Sequence, residues 1–393
     1  MPLKVVVILG TRPEVIKMAP IVLRLKEDRK YFETQVCATA QHREMLDQVL
    51  HFFGIRPDID LNLMKPDQTL ASLTEDVMRE LTNVMVKIKP DLVLVQGDTT
   101  TTFVGALTSF YQKIPVGHIE AGLRTDHLSA PFPEEAYRRL VSVLTTLHFA
   151  PTERAAQALL REGVSRASIH VTGNTGVDAL LEGLHRIESD PPFFDRLQKW
   201  FHNYVDPSGF LKHSGRLVVI TGHRRENFGE GFKSICAAIR TLSREFARDY
   251  FVYPVHLNPN VKGPVYQYLR EIPNVRLIEP VDYPQMLYLM QKSCLILTDS
   301  GGIQEEAPTL KIPVLIMREK TERPEGIEWG CTHLVGTSEE VIVKKAAAFL
   351  TSQEIFRRNS SGNPYGDGKA ADRVKQAILF WAGITHQRPA EFL

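Results

Sequence analysis

The chain has few of the features that would place it outside ordinary globular proteins. Its 393 residues include four cysteines, Cys37, Cys236, Cys294 and Cys331, far apart and without a CxxC pair. That spacing argues against a disulfide framework or a zinc knuckle and for thiols in a reducing compartment. Neither sign of charge prevails, since 47 Lys and Arg face 46 Asp and Glu for a net charge of +1. Nothing electrostatic therefore calls for nucleic acid or an anionic membrane as partner. No apolar stretch reaches the roughly 18 residues of a spanning helix. The opening MPLKVVVILGTRPE has an apolar run too short for a signal peptide, so a cytoplasmic protein is expected. The 13 histidines contain no HxxxH pair, and no His/Cys/Asp spacing points to a metal. The first strand-like run ends in GTRPE instead of GxGxxG, so the dinucleotide fingerprint is missing and no cofactor is expected.

What the chain does have is a regular alternation of buried strands and amphipathic helices, the pattern of parallel α/β units. KVVVILG (4–10), TQVCATA (34–40), DLVLVQG (91–97), PVGHIE (115–120), LHFAP (147–151) and IHVTG (169–173) read as strands. A polar stretch rich in Pro and Gly, 189–215, reads as a linker with a short helix. The rhythm then restarts with RLVVITG (216–222), FVYPVH (251–256), VRLIEP (275–280), CLILTD (294–299), PVLIM (313–317) and HLVG (333–336). Two doubly wound sheets are expected, with a ligand cleft between them at the carboxyl ends of the strands.

Polar motifs stand at those strand ends. In DSGGIQEEAP (299–308), Ser300, Gly301 and Gly302 turn a buried strand into a helix whose free N–H groups suit a diphosphate. Glu306, one turn further, suits the diol of a ribose, although acids early in a helix also simply favour its dipole. Arg12 and Lys17 follow the first strand as phosphate candidates or surface ion pairs. GDTTTT (97–102) presents Asp98, which is either a helix cap or part of a polar site. Glu120 ends the next strand, and Glu134 and Glu135 open a helix in APFPEEAYRR (130–139). Together these acids read as an acid/base cluster. TGHRRENFG (221–229) adds His223, Arg224 and Arg225 as a phosphate and proton-transfer grip, with His256 a second contact. Arg323 and Glu325 face the same expected cleft without an assignable role.

GTRPEVIKMAP, TAQHREMLDQVL, QGDTTTT, GHIEAGLRT, PFPEE, APTE, TGNTGVDAL, TGHRREN, VYPVHLNPNV, LTDSGGIQEEAP, MREKTERPE and NPYGDG closely resemble the non-hydrolysing UDP-N-acetylglucosamine 2-epimerases, in that family's order over nearly the whole chain. The resemblance implies a glycosyltransferase-B-like fold of two Rossmann-like domains, 1–175 and 176–369, with the C-terminal helix in 370–393 packing back on the first. It implies a homodimer that interconverts UDP-GlcNAc and UDP-ManNAc, by eliminating UDP to 2-acetamidoglucal and adding it back, for cell-surface polysaccharide synthesis. Asp98, Glu120, Glu134 and His223 match the family's catalytic positions. Arg12, Ser300, Gly301, Gly302 and Glu306 match its UDP contacts, with Lys17 and Arg224 as further candidates. Gln41, His42 and His256 would lie near an allosteric UDP-GlcNAc. One departure stands out: Tyr137 occupies the position where the family usually carries Asn, which implies altered hydrogen bonding near Glu134. The alternatives are a hydrolysing relative, a glycosyltransferase with the same nucleotide site, and a nucleotide-sugar sensor without turnover.

Overall fold

The computed structural model describes residues 1–39, 43–65, 68–213, 215–351 and 362–392. Gln41 and His42 lie outside them. The described residues divide into two units, Met1–Glu182 with Tyr365–Leu393, and Gly183–Pro364. The division falls inside a helix, Thr175–Ser189, whose first half belongs to one unit and whose end belongs to the other.

The first unit is built on a parallel sheet whose strands are β1 (Leu3–Leu9), β2 (Phe32–Ala38), β3 (Ile59–Asp60), β4 (Leu92–Gln96), β5 (Val116–Ile119), β6 (Leu147–Ala150) and β7 (Ile169–Val171). Their spatial order is β3-β2-β1-β4-β5-β6-β7. In β1, β4 and β5 the buried run is continuous because helices cover both faces, as parallel sheets require. The second unit repeats the plan with β8 (Leu217–Thr221), β9 (Tyr250–Pro254), β10 (Val275–Ile278), β11 (Ser293–Thr298), β12 (Val314–Ile316) and β13 (Thr332–Leu334), ordered β10-β9-β8-β11-β12-β13. Both are Rossmann-like windings. Each reverses its strand order once, between β1 and β4 and between β8 and β11, and ligands of open α/β sheets bind outside such reversals.

Four helices position the first unit's polar groups: α1 (Arg12–Glu27), α2 (Arg43–Phe52), α3 (Leu70–Ile88) and α4 (Thr100–Tyr111), joined by α5 (Glu134–Leu144). The C-terminal helix Ala370–Trp381 packs on α1, with Arg24 3.5 Å from Asp372 and Lys375 3.6 Å from Asp28. Its first turn is held by Asp178, whose carboxylate accepts the Ala370 and Ala371 N–H groups at 3.2 and 2.9 Å. Burial pushes Asp178 up to about 6 despite those bonds.

The stretch expected to be a linker with a short helix holds that helix, and the part read as linker is packed structure. Residues Pro191–Trp200 form a helix, and Phe194 and Phe201 meet Tyr288 edge-on at 6.0 and 5.6 Å. The Tyr250 hydroxyl donates to the Val205 carbonyl at 2.9 Å. Its aromatic residues outweigh the Pro, Gly and polar residues that suggested a loop, because each buries a large apolar face.

Three histidines lie inside the first unit, His118 on β5, His148 beside it on β6, and His170 on β7. The His118 ring donates through Nε2 to the Gly97 carbonyl at 2.7 Å. Burial is the main cause that lowers all three, to about 4, 3 and 4, so the neutral forms are built in. A histidine lowered on folding stabilises above its unfolded value near 6.5, and that contribution is lost as pH falls towards the folded value. Between pH 7 and 5 each costs at most about 2 kcal/mol at 1.4 kcal/mol per unit. We expect His148→Leu to narrow the gap between unfolding free energies at pH 7 and pH 5, measured by urea denaturation. A gap as wide as the wild type's would show that His148 does not titrate on unfolding.

Candidate active site

The residues after β1 and β4 flank the first unit's reversal. Gly10 must be glycine, because a Cβ there would stand 2.2 Å from the Thr101 hydroxyl. Thr11 caps α1, Pro13 sits in its first turn, and Glu14 turns back to close the cap. Glu14 is almost wholly buried, and its role was not evident from the sequence. Its Oε2 accepts the Gly10 and Thr11 N–H groups at 3.0 and 2.5 Å. Its Oε1 accepts the Thr99 hydroxyl at 2.7 Å and lies 3.1 Å from that of Thr102. One carboxylate thus ties the Arg12 turn to the Asp98 turn. Burial raises Glu14, with the Thr99, Thr11 and Gly10 bonds opposing.

Asp98 follows Gly97, and Arg138 from α5 grips its Oδ2 through two nitrogens at 2.7 and 2.6 Å. Arg138 also reaches Glu135 at 3.3 Å. Glu135 is fully buried and accepts the Thr125 N–H and Arg139 as well. Glu135 is therefore the foundation under Arg138, while its neighbour Glu134, the first residue of α5, keeps Oε2 buried without a hydrogen-bond partner among the described residues. Glu120 directly follows β5, which lies beside β4 in the sheet, and its backbone takes a left-handed φ of 67°. That is costly for a residue with a side chain and is found where surroundings enforce it. The enforcement is visible: Lys17 from α1 pairs with Oε1, and the Gln96 amide donates to Oε2. Asn174 approaches Oε1 at 3.5 Å. Lys17, expected as a nucleotide contact, thus spends its ammonium on Glu120, and Arg12 stands half-buried at the start of the same helix.

Tyr137, where altered hydrogen bonding was expected, stacks flat on Phe103 of α4, ring centres 5.1 Å apart at 8°. That stack is an apolar contact between α4 and α5, and the next residue, Arg138, reaches Asp98.

In the second unit the residues after β8 and β11 flank the corresponding reversal. Asp299 is fully buried, and its Oδ2 accepts the backbone N–H groups of His223 and Arg224 at 2.8 and 2.9 Å and the Asn227 amide at 3.3 Å. The His223 ring stacks on that of His256, 5.6 Å away at 19°. Ser300 begins the short helix Gly301–Glu306. Gly301 is glycine because the Arg323 guanidinium lies against its backbone, 2.6 Å from where a Cβ would stand. Gly302 has open space at that point. Glu306 accepts the Tyr283 hydroxyl at 3.2 Å. Arg323 is held by Glu305 and Glu322, both at 2.5 Å, and Arg318 adds a 2.9 Å pair to Glu322. Burial opposes the ionised form of Glu322, but Arg323 and Arg318 outweigh it and hold the group far below the usual range. Arg323 is therefore a structural cation.

The first unit presents three carboxylates, two of them braced by buried cations. The second presents His223, Arg224 and a glycine-bearing helix start. Among the described residues no three His, Cys, Asp or Glu side chains are grouped to hold a metal ion. No described helix is long and apolar enough to cross a membrane.

The sequence model for UDP-N-acetylglucosamine 2-epimerase matches residues 24–379. The UDP-N-acetylglucosamine 2-epimerase of Escherichia coli strain K12 is 48% identical over 377 residues, covering 96% of this chain and 98% of that protein. The Neisseria meningitidis UDP-GlcNAc 2-epimerase, solved bound to UDP-GlcNAc, superposes with a TM-score of 0.89 at 47% identity, covering 96% of this chain and 99% of that one. The Methanocaldococcus jannaschii enzyme, solved with UDP-GlcNAc and UDP, gives 0.80 at 33% identity, covering 96% and 99%.

Replacing Glu14 by Ala takes the acceptor from two backbone N–H groups and removes the carboxylate that the Thr99 and Thr102 hydroxyls approach. We expect a loss of about 2 to 4 kcal/mol in denaturant unfolding. A loss below about 0.5 kcal/mol would mean that the two turns hold together without it.

Proposed function

The chain belongs to the UDP-N-acetylglucosamine 2-epimerase family, and from that membership we propose that it interconverts UDP-GlcNAc and UDP-ManNAc by eliminating and re-adding UDP. The observation that carries this reading is the pair of carboxylates at the ends of adjacent strands, Asp98 on Arg138 and Glu120 on Lys17 and Gln96. The sugar C2 proton has no neighbouring carbonyl to acidify it, and the chain has no nicotinamide fingerprint with which to create one. Elimination avoids the problem. The C2–H pair becomes the C1=C2 bond as the C1–O pair leaves with UDP, and return of UDP with protonation on the other face completes the inversion.

In this mechanism Asp98 and Glu134 exchange the C2 proton, an effect general acid–base groups make worth about 10² to 10⁴ in rate. Glu134 suits that part through its buried unpartnered oxygen, and Glu120 positions the sugar. His223 supports the departing UDP. Arg12, Arg224, Ser300, Gly301 and Gly302 hold the diphosphate, and Glu306 takes the ribose. Lys17 serves through Glu120. His256 is the described part of an allosteric UDP-GlcNAc contact. The product feeds cell-surface polysaccharide synthesis from the cytoplasm.

The protein would act as a homodimer. Val86 on α3, Phe110 and Tyr111 on α4, and Leu140 and Val143 on α5 are exposed apolar side chains on neighbouring helices, with Val143 at 83%. Such a surface suits a second copy. Val143→Glu should convert a dimer into a monomer in light scattering, and a monomeric wild type would end this reading.

Incubation with UDP-GlcNAc in deuterated water, followed by proton NMR, tests the chemistry. UDP-ManNAc with deuterium at C2 of both sugars is expected. Asp98→Asn should slow that exchange by at least about a hundredfold while UDP still binds by calorimetry. Free ManNAc accumulating with UDP would instead mark a hydrolysing enzyme. Tight UDP binding with C2 untouched would point to transfer or sensing.

A further inference from the structure

Asp299 holds more than the loop after β8. Its Oδ2 is fully used by three donors, and one of them, the Asn227 amide, is itself fixed by the Met317 carbonyl at 3.0 Å. That fixes the direction of the other oxygen. Oδ1 is buried, has no hydrogen-bond partner among the described residues, and lies 3.4 Å from His223 Nδ1. A buried carboxylate oxygen without a donor is costly and calls for an explanation. The ring beside it is about two-fifths exposed and is kept in plane by the stack on His256, whose own Nδ1 accepts the Asn258 N–H at 3.1 Å. With Nδ1 turned to the carboxylate, Nε2 is the ring nitrogen left for a ligand.

We propose that Asp299 is a positioning residue for the reaction, forming a dyad with His223 that keeps the Nδ1 proton in place and presents Nε2 to the leaving diphosphate. The proposal rests on the elimination reading. A small ring rotation closes the 3.4 Å gap to a charge-assisted hydrogen bond. The neutral ring then carries its proton on Nδ1, and the imidazolium carries a second one on Nε2. As the C1–O bond breaks, its electron pair stays on the diphosphate oxygen, which takes the Nε2 proton or a hydrogen bond from it. The proton returns to Nε2 when that oxygen attacks C1 again. The charged and titratable groups around the ring divide between opposing effects. Partial burial, Arg224 and His256 lower its basicity, and Asp299 alone raises it.

Asp299→Asn separates this role from loop support. The amide oxygen can take the place of Oδ2 and accept the same three donors. The NH₂ then faces Nδ1 and donates to it, which forces the neutral proton onto Nε2 and disfavours the imidazolium. We expect kcat to fall by at least about a hundredfold, in the direction of the roughly ten-thousandfold loss that a wrong tautomer can cause, with KM changed less than about threefold. The basic limb of the kcat profile should move to lower pH, a shift that mere loosening of the loop would not produce.

Nitrogen-15 NMR of histidine-labelled protein reads the tautomer directly, with the His223 signals identified by their loss in His223→Asn. The wild type should show the neutral proton on Nδ1, and Asp299→Asn should show it on Nε2 and titrate at lower pH. A wild-type ring protonated on Nε2, or an unchanged titration in the variant, overturns the dyad. Should the variant fail to fold, the wild-type tautomer alone decides. This readout needs no turnover, so absence of C2 exchange in the wild type would defeat the elimination reading while leaving the dyad to its own test.

Discussion

At the reversal of a doubly wound sheet, two neighbouring strands send their chains to opposite faces, and the backbone N–H groups just beyond them have no ladder to join. Everything else in the candidate site depends on how those groups are satisfied. Each unit uses one buried carboxylate. Glu14 reaches from α1 to the hydroxyls after β4, and Asp299 reaches from the end of β11 to the N–H groups after β8. The candidate site residues hang on these two clamps. Arg12 follows a clamped N–H, Asp98 precedes a clamped hydroxyl, His223 and Arg224 are clamped themselves, and Ser300 adjoins the clamp.

The clamps differ in a way that separates support from function. Both oxygens of Glu14 are engaged, so its buried charge is met on every side, and burial still raises it. A group in that position stabilises its surroundings only while the whole donor set is present. Asp299 engages one oxygen and aims the other at an imidazole with solvent on its far side. Incomplete satisfaction beside an exposed titratable ring is a poor way to build a loop and a direct way to orient a histidine. The same distinction applies to Glu135 and Glu134. The first is saturated beneath Arg138, and the second keeps a buried oxygen unengaged.

Much of this plan was legible in the chain. The continuous apolar runs of KVVVILG and DLVLVQG mark strands buried on both faces, and polar residues at their carboxyl ends mark the ligand side. Partner choice was not legible. Lys17 reads equally well as a phosphate contact, and only the approach of α1 to β5 commits it to Glu120. Arg138 lies four residues past Glu134 with nothing in the spacing to show that it crosses to Asp98. Glu14 and Asp299 are single acids within longer motifs, and their importance comes from donors 70 to 90 positions away. In 189–215 the short helix was legible, and only the linker reading failed, because Tyr288, distant in sequence, supplies the surface on which its phenylalanines pack.

At Glu120 backbone strain and a buried ion pair make opposite demands. A left-handed backbone at a residue with a side chain costs about 1 kcal/mol or more, and glycine would remove that cost. Glycine would also remove the carboxylate that pairs with buried Lys17 and accepts the Gln96 amide, a larger penalty of several kcal/mol. The strain is thus kept by the very pair that aims the carboxylate. Removing the strain and keeping the site are incompatible at this position, because the turn that bends the backbone is also what sets the Glu120 side chain between α1 and β4. At Tyr137 the ring packs against Phe103, and the neighbouring Arg138 makes the ion pair with Asp98.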